Sequence, residues 1–577
     1  MHIIPAATPM NIELECGKCG HRQPFLLTTH TCNTCGHDWM EVRYDYDRIS
    51  KIWPDILRQR PFTMWRYREL LPLRRDEFQI TMGEGGTALL RANNLGMMLG
   101  APNLFVKDER QNPTNSFKDR QAAMVISMMK EAGITELVVA STGNVAISYS
   151  AYSAHAGIKL WTFLPSLVPP EKMREIAIYG SEVVKVTATY DATKKVAAQF
   201  AEHRGIQVDR GIRNTGTRES MKTIAMEVAE QLAAELGPPQ PGIPWRTPDW
   251  YIQAVSGGMG PIGFWKGYEE LHQMGLVDRL PKLALIQAEG CAPMVTAFRK
   301  HLPEAEVVTD PTTRVITIAT GAPGPAYEYL YHVMQNHGGV FESVTDEETF
   351  RALHVLAKME GLSVEPAAAA AFAGLFKLLS MGVINRNETV VICCSGHTFP
   401  VEKFLLEEDW LKVLPVSAET LTPTASEAAR PHPPAPAGLL GALDQLDKRV
   451  QRIVIVEDNP EAARLLRRIL QTHGEFQIGE ANAGKEGLSM IREMHPDLIL
   501  LDLMMPDMDG FAVIDHLKAD PILKDIPIIV ITAKELTSID RARLQGQIQM
   551  LLQKGSFMDE DLLKEIGALL GKNGEEK

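Results

Sequence analysis

Three uninterrupted apolar runs lie in the last quarter of the chain: RIVIVE (452–457), DLILLD (497–502) and IPIIVITA (526–533). The first two end on carboxylates, and the third carries Thr532 next to its last residue. Segments with helical spacing, such as AARLLRRIL (462–470), separate them. Continuous apolar strands alternating with helices predict a parallel sheet covered on both faces. The same grammar runs through the middle of the chain. LFVKDE (104–109) is strand-like, and SFKDRQAAMVISMMKEAG (116–133) has apolar residues at helical spacing after a start at Ser116. The Met-rich stretch 124–130 is the core face of that helix. LVVASTGN (137–144) passes through small residues into VAISYSAYSAHAG, and YIQAVSGGMGPIGFWKGYEEL (251–271) does so through a glycine-rich turn. Residues 415–437, PVSAETLTPTASEAARPHPPAPA, have no apolar period and read as a tether. The fold class is α/β, with domains expected at 10–44, 45–412 and 450–571 and a Pro/Ala-rich linker at 413–449.

Composition narrows the function classes. The 577 residues are 45% hydrophobic and 23% charged, enough to build cores and too apolar for a disordered chain. Seventy-two acidic residues against 59 basic ones set a formal charge of -13 and offer no field for a polyanion, so no nucleic-acid partner is expected. No run of about 20 uncharged apolar residues and no signal-peptide pattern is seen, so the expectation is a cytoplasmic protein without a membrane partner.

Seven cysteines are too few and too unevenly spread for a disulfide framework. Four of them form two C-x2-C knuckles, Cys16/Cys19 and Cys32/Cys35, spaced so that two tight turns can offer four thiolates to one Zn2+. Four thiolates close the shell, so the zinc is expected to be structural. Cys393 and Cys394, in the apolar run VVICC, read as buried thiols with no paired base in view, and Cys291 follows Glu289-Gly290 at a strand end, where a catalytic role is not expected.

Chemistry gathers at the ends of the C-terminal apolar runs. Glu457 and Asp458 end the first, Asp502 the next and Thr532 the third, and Lys554 follows LLQ. Three carboxylates can hold Mg2+, Asp502 can attack a phosphoryl group, and Thr532 and Lys554 can take the transferred oxygens. With D-L-M-M-P-D-M-D-G (502–510), I-T-A (531–533) and Q-K-G (553–555), this region resembles the response-regulator receiver domain, a doubly wound (βα)5 fold. The resemblance implies that Asp502 is phosphorylated, that Glu457, Asp458 and Asp502 bind Mg2+, that Thr532 and Lys554 support the phosphoryl group, and that a histidine kinase or other phosphodonor is the partner. Gly555 stands where the family has proline, and Leu551 where many members carry a switching aromatic ring.

In the middle region a lysine at a helix start, Lys118, and a separate glycine-rich turn that exposes backbone N–H groups suggest an aldehyde cofactor held covalently and through its phosphate. No dinucleotide fingerprint or triphosphate loop is present. The elements G-E-G-G-T (83–87), N-P-T-N-S-F-K-D-R (112–120), S-T-G-N (141–144), V-S-G-G-M-G (255–260), E-P-A (365–367) and S-G-H (395–397) resemble, in this order, the pyridoxal-phosphate enzymes of the tryptophan-synthase β fold, a two-lobed fold type II core, and among them most closely threonine synthase. An N-terminal ribbon also precedes some threonine synthases.

The resemblance implies that pyridoxal 5'-phosphate is bound covalently by Lys118, which is also the proton carrier. Asn144 would meet the cofactor's 3'-oxygen, the backbone of Gly257, Gly258, Met259 and Gly260 its phosphate, and Ser395 the pyridine nitrogen. The implied reaction is that of a lyase turning O-phosphohomoserine into threonine and phosphate. A serine/threonine dehydratase, a β-replacement synthase and a non-catalytic scaffold for the receiver are the alternatives, and a homo-oligomer is expected. The chain departs from the family at Asn115, usually glycine, at Val145, usually threonine, and in N-T-G-T-R-E-S-M-K-T (214–223), where Thr217 takes the usual arginine position, Arg218 follows it and Ser220 replaces glycine.

Overall fold

In this computed structural model, residues 12–28, 31–141, 143–165, 168, 170–186, 190–397, 451–473, 476–532, 540, 543–544, 546–548 and 550–553 are described. Near the N-terminus β1 (Glu13–Cys16), β2 (Arg22–Pro24) and β3 (Met40–Arg43) pair antiparallel in the order β2-β1-β3. The period-two pattern turns Leu14 and Cys16 of β1, with Met40 and Val42 of β3, inward. So small a sheet has little interior of its own, and these residues join one continuous core with the central region, whose helix Thr215–Leu236 supplies Met221 and helix Met259–Gln273 supplies Ile262 and Trp265.

The central region is built on two sheets. The larger contains β4 (Leu89–Arg91), β5 (Leu104–Asp108), β10 (Trp250–Ala254), β11 (Lys282–Ala288), β12 (Gly339–Val344) and β13 (Val390–Cys394), in the order β12-β11-β10-β13-β5-β4. The smaller contains β6 (Glu136–Ala140), β7 (Lys159–Pro165), β8 (Glu182–Val186) and β9 (Gln207–Val208), in the order β8-β7-β6-β9. All neighbours run parallel except β4 and β5. Strands β5 and β13 are buried along their whole length, as their continuous apolar runs require.

The helix expected from Ser116 begins at Lys118. Ser116 is bridged to Gly396, and the Phe117 amide donates to the Ser395 carbonyl at 3.0 Å. These two residues are committed to the chain leaving β13, so the first helical position falls on the lysine. Asn115, just before them, has φ +60°, a left-handed conformation in which asparagine is the side chain best tolerated after glycine.

The C-terminal unit is a five-stranded parallel sheet: β14 (Gln451–Val456), β15 (Phe476–Ala481), β16 (Leu498–Leu501), β17 (Ile528–Thr532) and β18 (Met550–Gln553), in the order β15-β14-β16-β17-β18. Helices Pro460–His473, Gly484–Met494 and Gly510–Ala519 accompany it. The order reverses beside the first strand, and ligands of such sheets sit at the strand carboxyl ends where it does. The linker 413–449, Lys554, Gly555 and the rest of the chain to 571 lie outside the described residues. Among the described residues no helix is long and apolar enough to cross a membrane.

Candidate functional site

The carboxyl ends of strands from both central sheets open on a cavity of about 570 Å3, and Lys118, Asn144, Gly257, Gly258, Met259, Gly260 and Ser395 all line it. Seven residues spread over 278 positions of sequence are thus brought to one place.

Lys118 is the first residue of its helix. Its Nζ lies 3.4 Å from the Met259 sulfur and 4.1 Å above the Phe117 ring. This apolar surround strips water from the ammonium and pulls its pKa from 10.5 to about 8, against the attraction of the Glu365 carboxylate. The amine is therefore far readier to act as a nucleophile or base near neutrality than an ordinary lysine.

Asn144 begins the helix Asn144–Ala156, and its Nδ2 donates to both Glu365 oxygens, at 3.0 and 2.9 Å. Lys172 approaches from the other side, its Nζ 3.4 Å from Asn144 Oδ1 and 4.0 Å from Glu365. Ser395 is 6% exposed. The next residue must be glycine, because a Cβ on Gly396 would stand 2.5 Å from Glu365 Oε1 and 3.3 Å from Asn144 Nδ2. Its carbonyl accepts from the Glu365 amide at 3.1 Å, which ties the E-P-A turn to the S-G-H turn.

The glycine-rich turn leads into the helix Met259–Gln273 through Gly258, at φ +78°, with no side-chain cap. An uncapped helix start carries unsatisfied N–H groups and the positive end of the helix dipole, which together suit a phosphate. A lysine with a lowered pKa, an uncapped helix start and a buried serine hydroxyl around one cavity fit a phosphate-bearing aldehyde such as pyridoxal phosphate.

The departures from the family pattern separate in space. Val145 lines the cavity. Thr217 and Arg218 are fully buried in the helix Thr215–Leu236, and neither lines it. Arg218 donates to the Ile212 carbonyl at 2.5 Å and to the Met40 carbonyl of β3, and its guanidinium lies 4.4 Å over the Trp39 ring. It faces the ribbon. The cavity's cationic wall comes instead from Lys194, Arg210 and Arg213, and its carboxylates from Asp38, Asp209 and Glu365. The sequence singled out Glu365, within E-P-A, without a role, and assigned nothing to the others. D-R-G-I-R (209–213), a basic loop after a short strand, was the available signal; Asp38, in a separate module, had none.

The remaining central cysteines are withdrawn from chemistry. Burial pushes the Cys393 thiol up to about 12 and raises that of Cys394, and Cys291 is raised to about 11.

In the ribbon, the sulfurs of Cys16, Cys19, Cys32 and Cys35 all lie within 4.8 Å of one another, with Cys16 to Cys35 at 3.6 Å and Cys19 to Cys32 at 3.7 Å. A tetrahedron with metal–sulfur bonds of about 2.3 Å has edges of roughly 3.8 Å, so this set fits one zinc-sized ion. In the C-terminal unit, carboxylate oxygens of Glu457, Asp458 and Asp502 likewise lie within 4.8 Å. Asp502 follows β16 and accepts from the Met504 amide at 3.1 Å, Glu457 accepts from the Asn459 amide at 3.2 Å, and buried Thr532 ends β17. Lys554 lies outside the described residues.

The profile of the family described as pyridoxal-phosphate dependent enzyme matches residues 80–396, and that of the response regulator receiver domain matches residues 453–566. A threonine synthase of Methanocaldococcus jannaschii is 38% identical over 385 residues, 66% of this chain and 91% of the relative. One of Methanosarcina acetivorans is 35% identical over 385 residues, 67% of this chain and 91% of the relative. One of Mycobacterium bovis is 32% identical over 350 residues, 60% of this chain and 88% of the relative. A family profile across more than half the chain, relatives matched over nearly their whole length and a cavity furnished for the cofactor agree: the chain belongs to the pyridoxal-phosphate dependent enzymes, as a threonine synthase-like lyase that carries a response regulator receiver domain.

Proposed function

We propose that the protein converts O-phosphohomoserine to threonine and inorganic phosphate. The observation that carries the reading is the convergence of Lys118, Asn144, the glycine loop and Ser395 on one cavity with a cationic wall. Pyridoxal phosphate, when bound, supplies an electron sink that acidifies the hydrogens of the amino-acid substrate. The chain's own residues do the rest. Lys118, with a pKa near 8, takes a proton from Cα and another from Cβ as phosphate leaves Cγ, delivers one to Cγ and returns one to Cα, while water adds its hydroxyl at Cβ and its remaining proton goes to the departed phosphate. Asn144, oriented by Glu365, would meet the cofactor's 3'-oxygen, and the helix start at Gly257–Gly260 would hold its phosphate. Ser395 would meet the pyridine nitrogen with a neutral hydroxyl, a setting that would suit elimination and replacement better than transamination. Val145 and the inward-turned Arg218 favour a second reading, a dehydratase or β-replacement synthase acting on serine or threonine.

The same reading gives structural Zn2+ to the four ribbon cysteines and Mg2+ to Glu457, Asp458 and Asp502. It makes Asp502 the acceptor of a phosphoryl group from a histidine kinase or other donor, with Thr532 and Lys554 compensating its charge, and phosphorylation the modulator of a homo-oligomeric cytoplasmic enzyme. The domains run 10–44, 45–412 and 450–571 around a linker at 413–449.

A substrate panel on cofactor-loaded protein tests the reaction, with O-phosphohomoserine, serine, threonine and O-phosphoserine assayed for phosphate, 2-oxo acid and new amino acid. Threonine and phosphate from O-phosphohomoserine are expected. A 2-oxo acid from serine or threonine with no phosphate release selects the second reading, and no product from any of the four overturns both.

A further inference from the structure

We infer that Arg213, held at the cavity wall by Asp38 of the cysteine ribbon, is the residue that grips the substrate's phosphate ester, so that the ribbon forms part of the substrate site. The inference rests on the phosphate-ester reading above and goes beyond it by naming the grip and what positions it. Both Arg213 and Asp38 line the cavity, and Arg213 Nε lies 3.1 Å from Asp38 Oδ2. A carboxylate on the Nε edge orients the guanidinium and leaves its Nη groups, which have no protein partner among the described residues, for a second anion. With 47% of its side chain exposed, Arg213 can still move onto a ligand.

The other candidates are engaged elsewhere or lack a tether. Lys194 is paired with Asp191 at 2.6 Å. Asp209 turns into its own loop, accepting from the Gly211 amide at 3.2 Å and from Asn214 Nδ2 at 3.0 Å, and leaves Arg213 to Asp38. Arg210 lines the cavity without an anchoring carboxylate among the described residues. Arg218, bound to the Ile212 and Met40 carbonyls and stacked on Trp39, cannot reach the cavity while the ribbon is docked.

Asp38 is well placed to position a partner, because its surroundings are fixed from both sides. Cys35 precedes it by three residues. Trp39 follows it, with its carbonyl accepting from the Gly17 amide at 3.0 Å, its indole donating to Glu41 at 2.7 Å and its ring stacked on Tyr329 at 5.6 Å. The ribbon thus does two things at once: it withdraws the arginine at 218 and presents the one at 213. In this account Arg213 touches substrate and Asp38 is a positioning residue.

The test measures ligand binding to the cofactor-loaded full chain through the cofactor's visible absorbance. The probes are 2-amino-5-phosphonopentanoate, which has an anionic tail, and 2-aminopentanoate, which lacks it. Arg213→Gln is expected to weaken the phosphonate by about tenfold or more, the loss of a bidentate charge-assisted contact, while leaving the neutral ligand within about twofold. Arg213→Lys should keep part of the preference. Asp38→Asn should weaken the phosphonate severalfold, and Asp38→Glu should restore it, which a merely structural role for Asp38 would not do. Equal losses for both ligands in Arg213→Gln, an unchanged phosphonate affinity, or a selective loss in Arg218→Gln instead overturns the assignment while the phosphate-ester reading stands. If the wild type itself holds both ligands equally, the assignment and that reading fall together.

Discussion

Replacing Glu365 by glutamine removes the one carboxylate that opposes the desolvation of Lys118, and its effect can be worked out in advance. Burial brings the Lys118 amine from 10.5 to about 8 although Glu365 favours the charged form. At pH 7.5 a pKa of 8 leaves about a quarter of the amine neutral, against about 0.1% at 10.5, a gain of roughly 200-fold in nucleophile. An opposite charge at about 4–6 Å is worth about one unit or more, so Glu365→Gln should carry the midpoint from about 8 to about 7. Glutamine keeps one acceptor for Asn144 Nδ2, so the change chiefly removes charge. The assay is the pH dependence of cofactor uptake by apoprotein, trapped with borohydride and mapped to Lys118. A wild-type midpoint at 10 or above, or one that rises in Glu365→Gln, would refute the reasoning. The linked stability change has a definite sign. The unfolded chain binds the proton up to pH 10.5 and the folded apoprotein only up to about 8, so stability should rise with pH through that window, by at most about 3 kcal/mol since Lys118 opens on a cavity.

Three further outcomes are expected. Glu219→Gln should lower thermal stability by about 3 kcal/mol, because Glu219 is buried against Lys222 and Lys266 and accepts from Tyr44, and its loss leaves two buried ammonium groups under-compensated; an unchanged melting temperature would show that Glu270 and Glu41 suffice. Cys19→Ser should lower zinc content and also weaken phosphonate binding through Asp38, and full zinc by metal analysis would reject the four-thiolate set. Asp502→Ala should abolish labelling by a small phosphodonor in Mg2+ and any change in turnover or sedimentation that labelling causes; identical turnover and mass with confirmed acyl phosphate on the wild type would remove the regulatory role.

The chain's linear pattern determined a good deal by itself. Wherever a tight turn or the end of a strand or helix sets the chemistry, residue types and spacing were sufficient. The two C-x2-C knuckles imply four convergent thiolates because each turn is local, and the C-terminal apolar runs place Glu457, Asp458, Asp502 and Thr532 at strand ends because a parallel sheet aligns those ends. S-F-K-D-R likewise puts Lys118 at a helix start, although the competing bonds of Ser116 and Phe117 to residues 395–396 moved that start by two residues. Tertiary structure decided what the groups around the site do. Glu365 meets Asn144 across 221 positions, Arg218 reaches Met40 across 178, and Asp38 joins Arg213 from another module. No local period records such pairings. Glu365 and Asn144 meet because the Glu365 amide is tied to the Gly396 carbonyl beside the helix start at Asn144, and the other two pairings arise because the ribbon, too small for a core of its own, buries its apolar face on the helices Thr215–Leu236 and Met259–Gln273, and in doing so sets which arginine is sealed inside and which is left to face the cavity.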